Sequence, residues 1–152
     1  MAKRVIWSYG DIFGLPLKDG SLGIAQIIDS MMTNVVYIAL FKVKIGSLNE
    51  SFDLKKDDII SLAATWKNSF GNGSFQKIRN EDLFAKKEEF KNEQYKDNGY
   101  IGAKHVNEGI ILDFLNAYHK LAPWDDWFNP NYLDQYLISP NVKPNDLIYT
   151  KK

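Results

Sequence analysis

The stretch GDIFGLPLKDGSLGIAQII, from Gly10 to Ile28, decides how this chain folds. Two apolar runs, Asp11 to Leu17 and Ser21 to Asp29, flank Lys18-Asp19-Gly20. Asp-Gly between apolar runs favours a tight reversal because both residues tolerate positive φ, so the stretch reads as a β-hairpin. Its glycines then have backbone duties. Gly20 completes the turn, Gly10 lets the chain enter the first strand, and Gly14 and Gly23 mark bulges or close approach of another segment. None of them needs a phosphate.

Beyond the hairpin, NVVYIALFKVKI (Asn34 to Ile45) begins as a continuous β-branched and aromatic run and ends in alternation. That pattern predicts a strand buried on both faces at first and half exposed at its end. Between Lys55 and Phe70, Ile59, Leu62, Ala63 and Trp66 fit helical spacing, while IISLAATW also fits a short strand; the spacing tilts the reading towards a helix. SFQKI (Ser74 to Ile78) predicts another strand. The charged run from Arg79 to Asp97 reads as a solvated, mobile connection or a surface helix.

The last third changes character. Between Asn107 and Leu121, Ile111, Phe114, Leu115 and Tyr118 recur at helical spacing, with Asp113, Asn116 and Lys120 on another face. A second helix is signalled by Asn129 as N-cap and Pro130 at the first helical position, with Phe128 and Leu133 spaced as a hydrophobic staple and Ser139-Pro140 as its end. NDLIYT (Asn145 to Thr150) predicts a final strand returning to the sheet. No repeat or linker divides the chain, so residues 1–152 are expected to form one α+β domain, an N-terminal antiparallel sheet with C-terminal helices packed on it.

The chain of 152 residues carries 19 basic and 19 acidic side chains and no cysteine. Zero net charge argues against a dedicated nucleic-acid binder, and the missing thiols exclude cysteine catalysis, thiolate metal sites and disulfides. MAKRVIWSYG lacks the apolar run of a signal peptide, and polar residues interrupt Leu22 to Ile45 too often for a membrane span, so a cytoplasmic location with no membrane association is expected.

No cofactor or metal is called for. GNGSFQ has Gln76 where a dinucleotide fingerprint needs its third glycine, and GYIGAKH lacks the P-loop order. His105 and His119 have no partner at metal-ligand spacing, and His119, at a helix end, reads as a cation favoured by the helix dipole. Asp125 and Asp126 are the best paired carboxylates, more simply explained as turn residues than as a general acid and base. What stands out is an aromatic and acidic concentration between Glu108 and Ile138. The expected partner-binding residues are Glu108, Asp113, Trp124, Asp125, Asp126 and Trp127, with both tryptophans read as a partly exposed rim. Such a surface suits a protein with a basic face, rings anchoring and carboxylates steering. The competing readings are a small hydrolase or transferase using Asp125, Asp126, His105 or His119, and a carbohydrate or small-ligand module stacking sugars on Trp124 and Trp127.

Gly10-Asp11-Ile12-Phe13, followed by Pro16-Leu17, Asp19-Gly20 and Gly23, resembles the start of the immunity protein 26 family of bacterial polymorphic-toxin systems. The resemblance takes in GSFQKI and PWDDWFNPNYLD. Hairpin openings of this kind also begin small SH3-like barrels, so an SH3-like curl of the sheet stays open as an alternative. The resemblance implies a non-enzymatic α+β protein that neutralises one cognate toxin, a nuclease in many such systems, in a one-to-one complex. It implies no catalytic residues. The protein itself is expected to be a monomer or weak homodimer.

Overall fold

A computed structural model describes residues 4–150; Met1–Lys3 and Lys151–Lys152, part of the expected domain, and the start of the leader reading, lie outside the described residues. The hairpin forms as the sequence predicts. Strand β1 (Asp11–Pro16) pairs antiparallel with β2 (Leu22–Met32), and β2 with β3 (Val35–Ile45). Gly20 turns the hairpin at φ +87°. Gly10 enters it at φ +94°, with the Glu81 carbonyl oxygen 2.6 Å from where a Cβ would stand, so both the backbone angle and the space exclude a side chain. At Gly23 the register shifts, and Leu115 comes down on the bare backbone.

Residues Ile59–Trp66 form strand β4, not the expected helix. Their helical spacing is incidental. Both faces of the segment are covered, and its backbone pairs antiparallel with β3 from Val35↔Trp66 to Phe41↔Ile59. Pairing with a long buried strand outweighs a weak local preference. Helix α1 (Asn68–Gly71) is a single turn, and β5 (Gln76–Asn80) returns to pair with β1. The result is a five-stranded antiparallel sheet in the order β4-β3-β2-β1-β5, with β4 and β5 as its edges and no closure into a barrel.

The sheet is buried on both faces, which is why β2 and the first part of β3 read as continuous apolar runs. On one face Phe13, Leu15, Ile27, Ile38 and Leu40 pack under helix α2 (Glu108–Tyr118), Trp124, Leu133 and Leu137. Asn107 caps α2, its side chain accepting from the Ile110 N–H at 2.9 Å. Asn116, expected on the outer face of this helix, is buried; its Oδ1 accepts from the Lys18 N–H at 2.9 Å and so joins α2 to the hairpin turn.

The other face is covered by the charged run. Instead of a mobile connection or a surface helix, residues 81–103 form short 3₁₀ turns at Lys87–Glu89 and Lys91–Asn98 that bury Ala85 and Phe90 against Tyr37, Phe41 and Ala64. Few apolar anchors in a charged segment suffice when each is well placed. Phe90 stacks on Tyr37 with ring centroids 4.3 Å apart, and Glu93 accepts hydrogen bonds from Tyr37 at 2.6 Å and Tyr100 at 2.9 Å.

Two further expectations at the C-terminus are corrected. The second helix is only a 3₁₀ segment, Tyr132–Tyr136, preceded by a turn in which Asn129 Oδ1 accepts from Asn131 N–H, and Phe128 is fully exposed rather than stapled. Contacts at each end, Trp124 to Asp134 and Ile138 to Ile60, fix this backbone and override its capping signals. Asn145–Thr150 forms no strand; Trp124 N–H donates to Ile148 O and Thr150 N–H to Asp125, so the segment lies along residues 124–125 instead of the sheet.

Candidate binding surface

The six residues expected to meet a partner do not form one cluster of free side chains. Glu108 opens α2, and its carboxylate accepts from both the backbone and hydroxyl of Ser69, tying the start of α2 to the single turn α1 that follows β4. Asp113 is exposed on α2. Trp124 is 1% exposed, so the expectation of a partly exposed ring fails there; its indole N–H donates to Asp134 at 2.7 Å. Burial alone would raise the Asp134 carboxyl pKa, but hydrogen bonds from Lys143 and Trp124 outweigh it and hold the group below its ordinary range. Trp127 is half-buried, its ring 4.6 Å from that of Tyr132.

Asp125 accepts from the Thr150 N–H at 2.7 Å and its hydroxyl at 3.1 Å. This fastening brings Ile148 and Tyr149, both about half exposed, alongside the turn. Asp126 and Phe128 follow in the same turn, Asp126 exposed and Phe128 at 109% relative exposure. The surface is therefore carried by Asp126, Trp127, Phe128, Ile148 and Tyr149. Sequence reasoning missed Phe128 by assigning it to a staple, and Ile148 and Tyr149 by assigning them to a strand. Its composition is a large apolar group next to a carboxylate, a common make-up for a docking anchor.

The histidines do not converge. His105 packs edge-on against Trp66, 4.6 Å between ring centroids, at the start of β3, where Val35 pairs with Trp66. His119 lies within the field of Asp19 and Lys44, at the far end of β3. Burial, with Lys44 and Lys120 acting in the same direction and Asp19 opposing, lowers its pKa to about 4. It is neutral at pH 7, not the helix-end cation the sequence suggested, and its Nε2 is buried with no hydrogen-bond partner. The two rings thus lie towards opposite ends of β3. No group of three or more potential metal-ligating side chains lies together, and no helix is long and apolar enough to cross a membrane, among the described residues.

These features define a protein of the α+β class whose open antiparallel sheet is layered on both faces and whose most exposed large apolar side chain, Phe128, stands in the turn after Trp124. The chain belongs to the immunity protein 26 family, whose model matches residues 8–102, well over half of its length. The matched span takes in the whole sheet and the 81–102 cover and ends before PWDDWFNPNYLD, to which the sequence resemblance extended. No curated protein and no solved structure matches the chain.

Proposed function

We propose that this chain is an immunity protein that binds one cognate toxin in a one-to-one complex and neutralises it by covering the toxin's active site, with no catalysis of its own. The observation that carries the reading is the family match over residues 8–102. The exposed Phe128 beside Asp126 supports a docking role for the turn. The fit is to a nuclease-type toxin in the cytoplasm: the cleft of such an enzyme is basic where it holds a phosphate backbone, and carboxylates at Asp113, Asp125 and Asp126 would stand in for that backbone. Trp124 serves this surface from beneath, its indole N–H bonding Asp134 and its backbone N–H bonding Ile148 O.

The test pairs the full chain with the toxin domain encoded beside its gene. Co-expression is expected to rescue growth from that toxin and from no unrelated one; absence of rescue rejects the reading. Phe128→Ala is expected to weaken the complex about tenfold or more, and Asp126→Asn to slow association at low salt but little at high salt. An association rate indifferent to Asp126→Asn at low ionic strength would remove this turn from the interface.

A further inference from the structure

The outer edge of β4 is closed at two points and open between them. Val106 N–H donates to Ala64 O at 2.9 Å, and Ile138 N–H donates to Ile60 O at 2.7 Å. Along an antiparallel strand, backbone groups face the partner and the outside at alternate residues. With Ala64 turned outward, the register with β3 turns Leu62 outward as well. No segment of the described chain pairs with the outward N–H and C=O of Leu62.

Leu62 lines a groove of about 640 Å³, walled by residues 89–106 on one side and Gln135–Ile138 on the other. Its rim is cationic. Lys91 and Lys104 are exposed there, whereas Glu89, the acidic lining residue, is held by Lys56 at 2.7 Å. The walls also limit what can enter. A second copy of this chain would bring its own Val106 and Ile138 segments against these walls before its Leu62 could reach this one. A single extended segment has no such obstacle.

We infer that the groove receives an extended acidic segment of the partner, which pairs with both backbone groups of Leu62 and sets carboxylates against Lys91 and Lys104. The partner's carbonyl accepts from Leu62 N–H and its own N–H donates to Leu62 C=O, a short strand addition between fixed walls. Identifying that partner as the toxin rests on the function proposed above. This contact has the opposite charge to the Asp126–Phe128 turn, so the two together would demand a partner with acidic and basic features in a fixed spacing.

The probe is a capped Val-Glu-Val-Asp-Val peptide, titrated onto the full-length protein while its backbone amide resonances are followed, with Val-Lys-Val-Lys-Val as the counterpart. The acidic peptide is expected to shift the Leu62 amide saturably, the lysine peptide to bind about tenfold or more weakly, and Lys91→Glu with Lys104→Glu to reverse that order. Leu62→Pro removes the outward donor without breaking the β3 ladder and is expected to abolish the response at Val106 and Ile138. No saturable shift at Leu62, equal binding of both peptides, or dimerisation that protects Leu62 without peptide would overturn the inference. Hydrogen exchange in the toxin complex separates the two proposals. Neutralisation with unchanged Leu62 exchange rejects the groove and keeps the immunity role; peptide binding without neutralisation of the toxin does the reverse.

Discussion

His119 closes α2 close to the hairpin turn, where Asp19 and Lys44 act on it, and it shows how one side chain can set a pH limit on the whole fold. Its folded-state pKa of about 4 lies below the value of roughly 6.5 for an unfolded chain. As pH falls below that unfolded value, the unfolded chain takes up a proton that the folded protein refuses, so stability declines between about pH 6.5 and pH 4 and is unaffected by this group above that window. Substituting His119→Gln is expected to flatten this part of the stability curve. Urea midpoints measured at pH 7 and pH 4.5 check it, and an equal acid loss in both proteins would rule the imidazole out as the cause. Asp11 contributes in the same direction. Burial would raise its carboxyl pKa, but hydrogen bonds from Asn80, Ser8 and Lys77 outweigh that and hold it below its ordinary range, so protonation in acid costs stability.

Among the elements, the 81–103 cover depends on a small number of polar fasteners. Gln26 is completely buried in β2, yet its amide group is fully engaged. Nε2 donates to the carbonyls of Gly10, Glu81 and Asp82, at 3.0 to 3.3 Å, and Oε1 accepts from Phe84 N–H at 3.0 Å. One side chain thus joins the hairpin entrance to the start of the cover. Gln26→Leu, similar in size, removes these bonds at a completely buried position, leaving only the Gly10 carbonyl with a second donor, Glu81 N–H, and is expected to cost about 3 kcal/mol. The loss should be local first, with amide exchange accelerating across residues 84–100 before the sheet is affected. Uniform acceleration throughout the sheet would contradict a fastener role. Glu93, shared by Tyr37 and Tyr100, holds the far end of the same cover.

For the whole molecule, the sheet needs both of its covers. Residues 8–102 carry the family match, but Phe13, Leu15, Ile27, Ile38 and Leu40 are buried by α2, Trp124, Leu133 and Leu137, all beyond it. Uncovering large apolar side chains costs roughly 1.5–3 kcal/mol each, so baring five of them costs about as much as the roughly 5–15 kcal/mol by which ordinary domains are stable. A chain ended after Gly102 is therefore expected to lose cooperative unfolding and to aggregate. A sharp thermal transition in that fragment would show that the matched region folds alone. The same layering exposes β4 as an edge and confines its open position to Leu62, between Val106 and Ile138.

The amino-acid sequence by itself determined the hairpin, β3, β5 and α2, because each is specified by neighbours: Asp19-Gly20 permits the reversal, the β-branched run favours extension, and Asn107 caps a periodic apolar face. It also carried the family, through Gly10-Asp11-Ile12-Phe13 and the residues that follow. Only the tertiary structure decided β4, whose ambiguous spacing was resolved by the free edge of β3, and the charged cover, whose order comes from Phe90 and Glu93 meeting Tyr37 across the sheet. It likewise decided which tryptophan faces solvent. Trp124 and Trp127 flank the same two aspartates in the sequence, but Asp134 draws Trp124 inward and leaves the surface to Trp127 and Phe128. Turn chemistry acts over a few residues and is legible locally; burial is set by what arrives from the far end of the chain.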